Sequence, residues 1–335
     1  MSGIHADQAA TPDVAGFSLV SPPTDFIDNP YPYYAALRLQ APAHTLGPNS
    51  LLLTRHEDLI AVYRHPGASS DKRKEFGPKF GPDTPLFEHH TSSLVFSDPP
   101  LHTRVRRLLT GALSQRAVAR IEPGLIRLVD RLIDELAPID TPDLITDFAA
   151  KIPIEVIGSL LDIPDDERGP LQPWSIAILS ALEPVPDAQL LARGNAAVSE
   201  FLDYLRSLVA RRRARPGDPE VDMLTRLIQG ESDGERLNER ELLHNCIFLL
   251  NAGHETTTNL IGNGLHALMH HRDQLELLAR EPTLINTAVE ELLRFESPLQ
   301  LNNRLATTDI ILPADPLTGR GELTVPAGTF VTLGV

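Results

Sequence analysis

The stretch Ala252-Gly253-His254-Glu255-Thr256-Thr257-Thr258 is poor helix material set inside a long helical pattern. That pattern begins at Asn238, whose side chain can cap a helix while Glu241, three residues on, completes a capping box. It runs to His270 or His271. Within it Gly253, Gly262 and Gly264 each cost about 1 kcal/mol against alanine, and the three threonines roughly 0.5–0.7 kcal/mol each. Something must offset that loss. One reading is close packing against another helix, which small residues permit. The other is a broken or widened helix adapted to a ligand: Thr256 can bond back to the carbonyl of Ala252 and bend the helix, freeing backbone groups. A carboxylate and a hydroxyl side by side, Glu255 and Thr256, could then relay protons. His254-Glu255 also begins the zinc-peptidase pattern, but the fourth position after His254 is Thr258, so the second histidine of an i, i+4 ligand pair is missing.

Outward from this helix, the pattern is helical from Asp98 to about Pro298, with apolar stripes at Leu125, Leu128, Leu132 and Leu136 and at Leu202, Leu205 and Leu208. Pro142, Pro164, Pro184, Pro186 and Gly217-Asp218-Pro219 separate the helices. The run Arg211-Arg212-Arg213-Ala214-Arg215 reads as a solvated helix end that complements the helix dipole. Residues 1–24 show no period and read as a flexible leader, with 25–335 forming a single domain. A short helix follows Asp28-Asn29-Pro30 and ends before Pro42, and Leu51-Leu52-Leu53 reads as a buried strand. Residues 66–93 are dense in glycine and proline and read as a long loop, a lid or pocket wall. After Pro298 the character turns to β, at Ile310–Leu312, Leu323–Val325 and Thr329–Leu333 around a turn at Pro326-Ala327-Gly328.

Two further constellations carry chemistry. In Asp98-Pro99-Pro100-Leu101-His102-Thr103-Arg104-Val105-Arg106-Arg107, Asp98 suits an N-cap and Pro99 the first helical position. His102 and Arg106, four apart, share a face and could receive a carboxylate or phosphate, or be ordinary surface residues. In Glu290-Glu291-Leu292-Leu293-Arg294, the Glu291–Arg294 pair at i, i+3 is a common helix ion pair.

Composition narrows the class. The 335 residues carry 45 acidic and 30 basic side chains, a formal charge of -15, with 42% apolar content and one cysteine, Cys246. An acidic chain repels phosphate backbones, which argues against nucleic-acid binding. One thiol makes no internal disulfide, residues 1–20 lack the basic and apolar blocks of a signal peptide, and no apolar run approaches the roughly 18–20 residues of a membrane span. A cytoplasmic protein acting on a small molecule is the expectation. Cys246, flanked by Ile247 and Phe248, reads as a buried apolar side chain.

Taken together, these segments resemble the soluble bacterial cytochrome P450 family from about Asp25 to Val335. Ala252-Gly253-His254-Glu255-Thr256 matches its oxygen-binding helix, Glu291-Leu292-Leu293-Arg294 its core ion-pair motif, and Asp98-Pro99-Pro100 with His102 and Arg106 its haem-propionate helix. Arg304 stands where the family has another propionate-binding arginine. The resemblance implies a mainly α prism fold with a small β region, haem b as cofactor, and a monooxygenase that inserts one atom of O2 into a small, largely apolar substrate. It also implies a monomer, with an electron donor such as an acidic ferredoxin that Arg104 and Arg107 could attract. Residue by residue, Thr256 would hold bound oxygen or its water, Glu255 would feed a proton relay, Ala252 and Gly253 would leave room over the haem, and His102, Arg106 and Arg304 would neutralise the propionates. The family's cysteine iron ligand lies in a glycine-rich loop C-terminal of the Pro326-Ala327-Gly328 turn. The sequence stops before that loop, so the expectations are an absent axial thiolate, a partly open proximal core and an inactive chain. The alternative is a non-catalytic haem-binding or regulatory remnant.

Overall fold

Leu51-Leu52-Leu53 is apolar without alternation because both faces of its strand are covered, the condition under which strands lose their polar face. In the computed structural model, which describes residues 11–113, 115–220, 222–230 and 234–335, the chain divides into two units, one up to Ser70 together with Leu299–Val335 and one from Asp71 to Pro298.

The first unit holds α1 (Tyr31–Gln40), α2 (His56–Arg64) and seven strands: β1 (Ala43–Gly47), β2 (Ser50–Leu53), β3 (Ala68–Ser69), β4 (Leu301–Ala306), β5 (Ile310–Leu312), β6 (Leu323–Val325) and β7 (Phe330–Gly334). Five form a sheet in the order β1-β2-β7-β4-β3, in which β2 and β7 run parallel and the other pairs antiparallel. Hairpin β5–β6 is separate. Leu52 packs with Val14, Phe17, Phe26, Tyr33 and Leu37, whereas Leu53 packs with Val62, Ile310, Val325, Val331 and Leu333. Val14 and Phe17 are therefore anchored rather than loose, although both fall in the segment read as a leader; residues 1–10 of that segment lie outside the described residues. Beneath the hairpin, the fully buried Asp58 carboxylate accepts from Arg320 Nη2 at 2.8 and 3.0 Å and lies 3.5 Å from Arg55, which also reaches Asp315 at 3.3 Å. Burial raises the Asp58 pKa despite the guanidinium groups around it.

The second unit is all helical: α3 (Arg73–Phe80), α4 (Pro85–Ser92), α5 (Leu101–Ala112), α6 (Gln115–Leu136), α7 (Lys151–Leu160), α8 (Leu171–Ser180), α9 (Ala188–Ala214), α10 (Met223–Gln229), α11 (Glu239–His270), α12 (Arg272–Arg280) and α13 (Ile285–Phe295). Its core joins Val105 and Leu109 of α5, Ile178 of α8, Phe201, Leu205 and Leu208 of α9, and Cys246, Ile247 and Leu250 of α11. The architecture is mainly α with a small β region, as the sequence implied. The arginine run closes α9 in ion pairs, Arg211 to Glu167 at 2.6 Å, Arg212 to Asp162 at 2.7 Å and Arg213 to Glu239 at 3.1 Å.

Two expectations need correction. Residues 66–93 are not a long loop but β3, α3 and α4. Their breakers punctuate short helices: Gly81 leaves α3 at φ 86°, Thr84 Oγ1 accepts from Phe87 N, and Pro85 occupies the first turn of α4, where its missing N–H is not needed. Helix α5 starts at Leu101, two residues later than read; Asp98 contributes its carbonyl, accepting from His102 N at 3.0 Å, and no side chain caps this end.

Removing one partner of a buried ion pair leaves a charge without compensation. Arg320→Met should cost about 3–5 kcal/mol, read as a drop in urea midpoint; an unchanged midpoint would show that Arg55 alone holds Asp58.

Candidate functional site

The capping box at the start of α11 is complete: Asn238 Oδ1 accepts from Glu241 N at 2.9 Å and Glu241 Oε2 from Asn238 N at 3.0 Å. Leu242, Leu243, Cys246, Ile247 and Leu250 then pass through the core on all sides. Cys246 is wholly buried and its thiol is pushed up to about 12, so it offers no thiolate. At Ala252 the surroundings change. Ala252 and Glu255 are exposed and Thr256 is half-buried, while His254 and Thr258 remain buried. Thr256 Oγ1 donates to Ala252 O at 2.7 Å and Thr258 Oγ1 to His254 O at 2.9 Å. The helix nonetheless continues unbroken to His270, so the back-bonds do not open it.

The glycines serve packing. A Cβ at Gly253 would lie 2.6 Å from Ile157 Cδ1 of α7, one at Gly264 would lie 3.0 Å from Leu292 Cδ1 of α13, and one at Gly262 would strike Ile145. At Gly253 it is Ile157 that uses the space left by the missing side chain. Ala252, Glu255 and Thr256 form the uncovered face. Burial raises the Glu255 carboxyl pKa, and the Glu183 carboxylate raises it further. His254 faces α8, its Nδ1 3.1 Å from Ser175 Oγ, and burial lowers its pKa. Among the described residues no group of three or more His, Cys, Asp or Glu is arranged to hold a metal ion.

On α5, Val105, Leu108, Leu109 and Ala112 face the core. His102 is half-buried and Arg106 exposed on a neighbouring face. Arg104 is tied to Glu241, to Glu235 at 3.6 Å and to Arg236 O at 3.2 Å, and Arg107 lies 4.0 Å from Glu235. These two arginines are thus engaged within the chain, which weakens them as a docking patch for an acidic partner. Arg304, in the other unit, donates to Asn302 Oδ1 at 3.1 Å and Asn303 O at 2.8 Å, with its guanidinium 5.1 Å from the Tyr63 ring centre. On α13, Arg294 pairs with Glu291 through two contacts of 2.7 Å, both side chains being exposed. An exposed pair of this kind contributes at most about 1 kcal/mol.

One cluster escaped the sequence reading. His89 and His90 of α4 and His244 of α11 are all buried, with ring centres 4.8 Å apart for the first two and 5.7 Å for His89 and His244. Phe76, Phe80 and Phe96 surround His90. Burial holds His89 well below the usual range, His90 at about 3 and His244 at about 4. The adjacent His89-His90 pair became informative only once Pro85 was seen to open a helix.

A family model described as "Cytochrome P450" matches residues 175–334. The chain is 38% identical over 315 residues to the vitamin D(3) 25-hydroxylase of Pseudonocardia autotrophica, covering 92% of this chain and 73% of that protein. It is 35% identical over 317 residues to cytochrome P450 monooxygenase PikC of Streptomyces venezuelae, covering 92% and 70%. Among solved structures, P450BioI in complex with an acyl carrier protein ligated to hexadec-9Z-enoic acid superposes with a TM-score of 0.81 at 29% identity, covering 92% of this chain and 78% of that one. CalO2 superposes with a TM-score of 0.82 at 28% identity, covering 97% and 77%.

Two predictions follow from packing and charge. Gly253→Ala should be better tolerated with Ile157→Val than alone, a coupling of about 0.5–1 kcal/mol in a double-mutant cycle; strict additivity would show that Ile157 does not set the limit. The buried imidazoles are neutral when folded but titrate near 6.5 when exposed. The unfolded chain therefore binds more protons, and stability present above pH 6.5 is lost as pH falls toward about 4 and 3. Lys79 of α3, Glu88 of α4, Arg206 of α9 and Arg240 of α11 face the cluster and modulate this loss. His90→Phe should flatten urea midpoint against pH over that window; an unchanged slope excludes His90 as a source.

Proposed function

The chain belongs to the cytochrome P450 family, and on that footing we propose that the uncovered face of α11 is the distal wall of a haem b pocket in a monooxygenase acting on a small, largely apolar substrate. The observation that carries this is the uncovered face formed by Ala252, Glu255 and Thr256, which directly follows the stretch of α11 whose Leu242, Leu243, Cys246, Ile247 and Leu250 are buried in the core. Bound haem would supply the activation of O2. His102 and Arg106, for whose side chains no hydrogen bond or ion pair is found among the described residues, fit a pair of propionates.

The chemistry left to the protein is small in extent. Ala252 keeps only a methyl group on the open face. Thr256 Oγ1, donating to Ala252 O, has lone pairs free to accept a hydrogen bond from water or substrate. Glu255, whose carboxyl pKa is raised by burial, lies on the same face and would exchange a proton with water at Thr256. The substrate class is supported by the names of the relatives, one hydroxylating vitamin D(3) and another structure carrying a fatty acyl chain. An electron donor such as a ferredoxin completes the reading.

Cys246 does not fit the axial ligand: it is buried with a raised thiol pKa and lies six residues before Ala252 on the same helix. This favours a second reading for the 335-residue chain, haem binding without thiolate ligation.

Titration of the purified chain with haemin should give saturable binding. Arg106→Ala should weaken it tenfold or more, since one charge-assisted hydrogen bond contributes about 1.5–3 kcal/mol. Reduction under carbon monoxide should show no thiolate-type absorption band, and Cys246→Ala should change neither result. Absence of saturable uptake removes both readings, and a thiolate-type band removes the second.

A further inference from the structure

Helix α11 ends on His270, and one turn before it stands His266. Four residues at about 100° each set these two side chains about 40° apart around the axis, on one face. Their rings meet: the centres are 4.3 Å apart, with the planes at 70°. Both residues are exposed, on a different side of the helix from Ala267, Leu268 and His271, which line an apolar groove shared with α12 and α13. His270 Nδ1 lies 2.9 Å from the carbonyl oxygen of His266. A carbonyl only accepts, so Nδ1 carries the proton and donates it. In the neutral ring Nε2 then keeps its lone pair, on the edge turned away from that carbonyl. No hydrogen bond of the His266 ring is found among the described residues, so its nitrogens are open to a ligand from solvent.

We propose that His266 and His270 form a two-histidine site for a divalent transition-metal ion of the class that imidazole suits, such as zinc, copper or nickel. The site is separate from the haem reading and uses none of the residues assigned to that pocket. Spacing i, i+4 on one helix face is what lets two imidazoles reach one ion, the arrangement that His254 lacks because Thr258 stands four residues on. The bond from His270 Nδ1–H to a backbone carbonyl is the outer contact that fixes the tautomer and orientation of a ligating histidine. Position adds to this. The last turn of a helix presents carbonyls without helical partners, and the negative end of its dipole favours a cation. His271 does not join the pair, since its ring packs edge-on against Phe295 with centres 5.5 Å apart. No third His, Cys, Asp or Glu completes the site among the described residues, so water would fill the remaining positions. An ion held by both rings closes a chelate across one turn. It stabilises the folded chain, because the unfolded chain does not hold the two rings together.

The test titrates the full chain, without haem and without any histidine tag, with zinc chloride in a calorimeter. Saturable binding is expected, weakened in His266→Ala and in His270→Ala and unchanged in His271→Ala. Loss of an outer contact alone costs roughly 10–100-fold in metal affinity, so loss of a ligand should cost at least as much. Both rings are exposed, so the variants should keep the helical circular dichroism of the parent. With zinc at about a hundred times its dissociation constant, the ratio of folded to unfolded chain should rise roughly hundredfold, read as a higher urea midpoint, and either single variant should abolish the rise. Nitrogen-15 NMR of labelled histidine in the unsubstituted chain should show zinc shifting Nε2 of His270 more than Nδ1. Equal affinity in both single variants would place the zinc on other histidines and overturns the proposal. So does a zinc shift confined to Nδ1 of His270, or no saturable binding.

Discussion

Helix α11 must come within backbone distance of α7 on one side while leaving Ala252, Glu255 and Thr256 uncovered on the other. Everything else in the helical unit answers to that demand. Gly253 admits Ile157 and Gly264 admits Leu292, contacts that any Cβ would push apart. The glycines and threonines cost several kcal/mol of helix propensity, at about 0.5–1 kcal/mol each. Leu242, Leu243, Ile247 and Leu250 are buried ahead of them, each contributing about 1.5–3 kcal/mol, so the first half of the helix stabilises the second. Asn238 and Glu241 secure the end from which that stability propagates.

The charges follow a similar division. In a chain of net charge -15, a cation usually finds a carboxylate. Arg104, Arg211, Arg212, Arg213 and Arg320 all do. Arg106 is exposed beside His102 with no such partner found among the described residues, which is why these two, and not the ion-paired Arg104, suit an anionic group supplied from outside. Glu255 shows the converse. It gains no cation, only burial and a like charge from Glu183, and both favour the protonated acid.

Much of this was legible in the sequence because it depends on local rules. The capping box at Asn238, the α1 boundary before Pro42 and the Leu51-Leu52-Leu53 strand each follow from a few adjacent residues and their spacing. What was misread depends on context. Glycine and proline between residues 66 and 93 look alike whether they interrupt a loop or separate two short helices, and only burial of Phe76, Phe80 and Leu86 decides for helices. The His89–His90–His244 cluster joins residues more than 150 positions apart, and Lys79 reaches carbonyls of Leu182 and Glu183 about 100 positions away; neither leaves a trace in periodicity.

The stretch from Ala252 to Thr256 shows why five consecutive residues of a helix do not share one environment. At about 100° per residue, Ala252, Glu255 and Thr256 fall within about 100° of arc around the helix axis. His254 falls opposite them, and it is buried against Ser175. Gly253 lies to the side, beyond Thr256, in the direction of Ile157. The motif is thus two constraints written into one string. One fixes how closely the helix approaches α7, and the other fixes which groups its open face presents. Substitutions at Gly253 therefore act on the site through the position of the helix, whereas those at Glu255 and Thr256 act on it through hydrogen bonding and proton affinity.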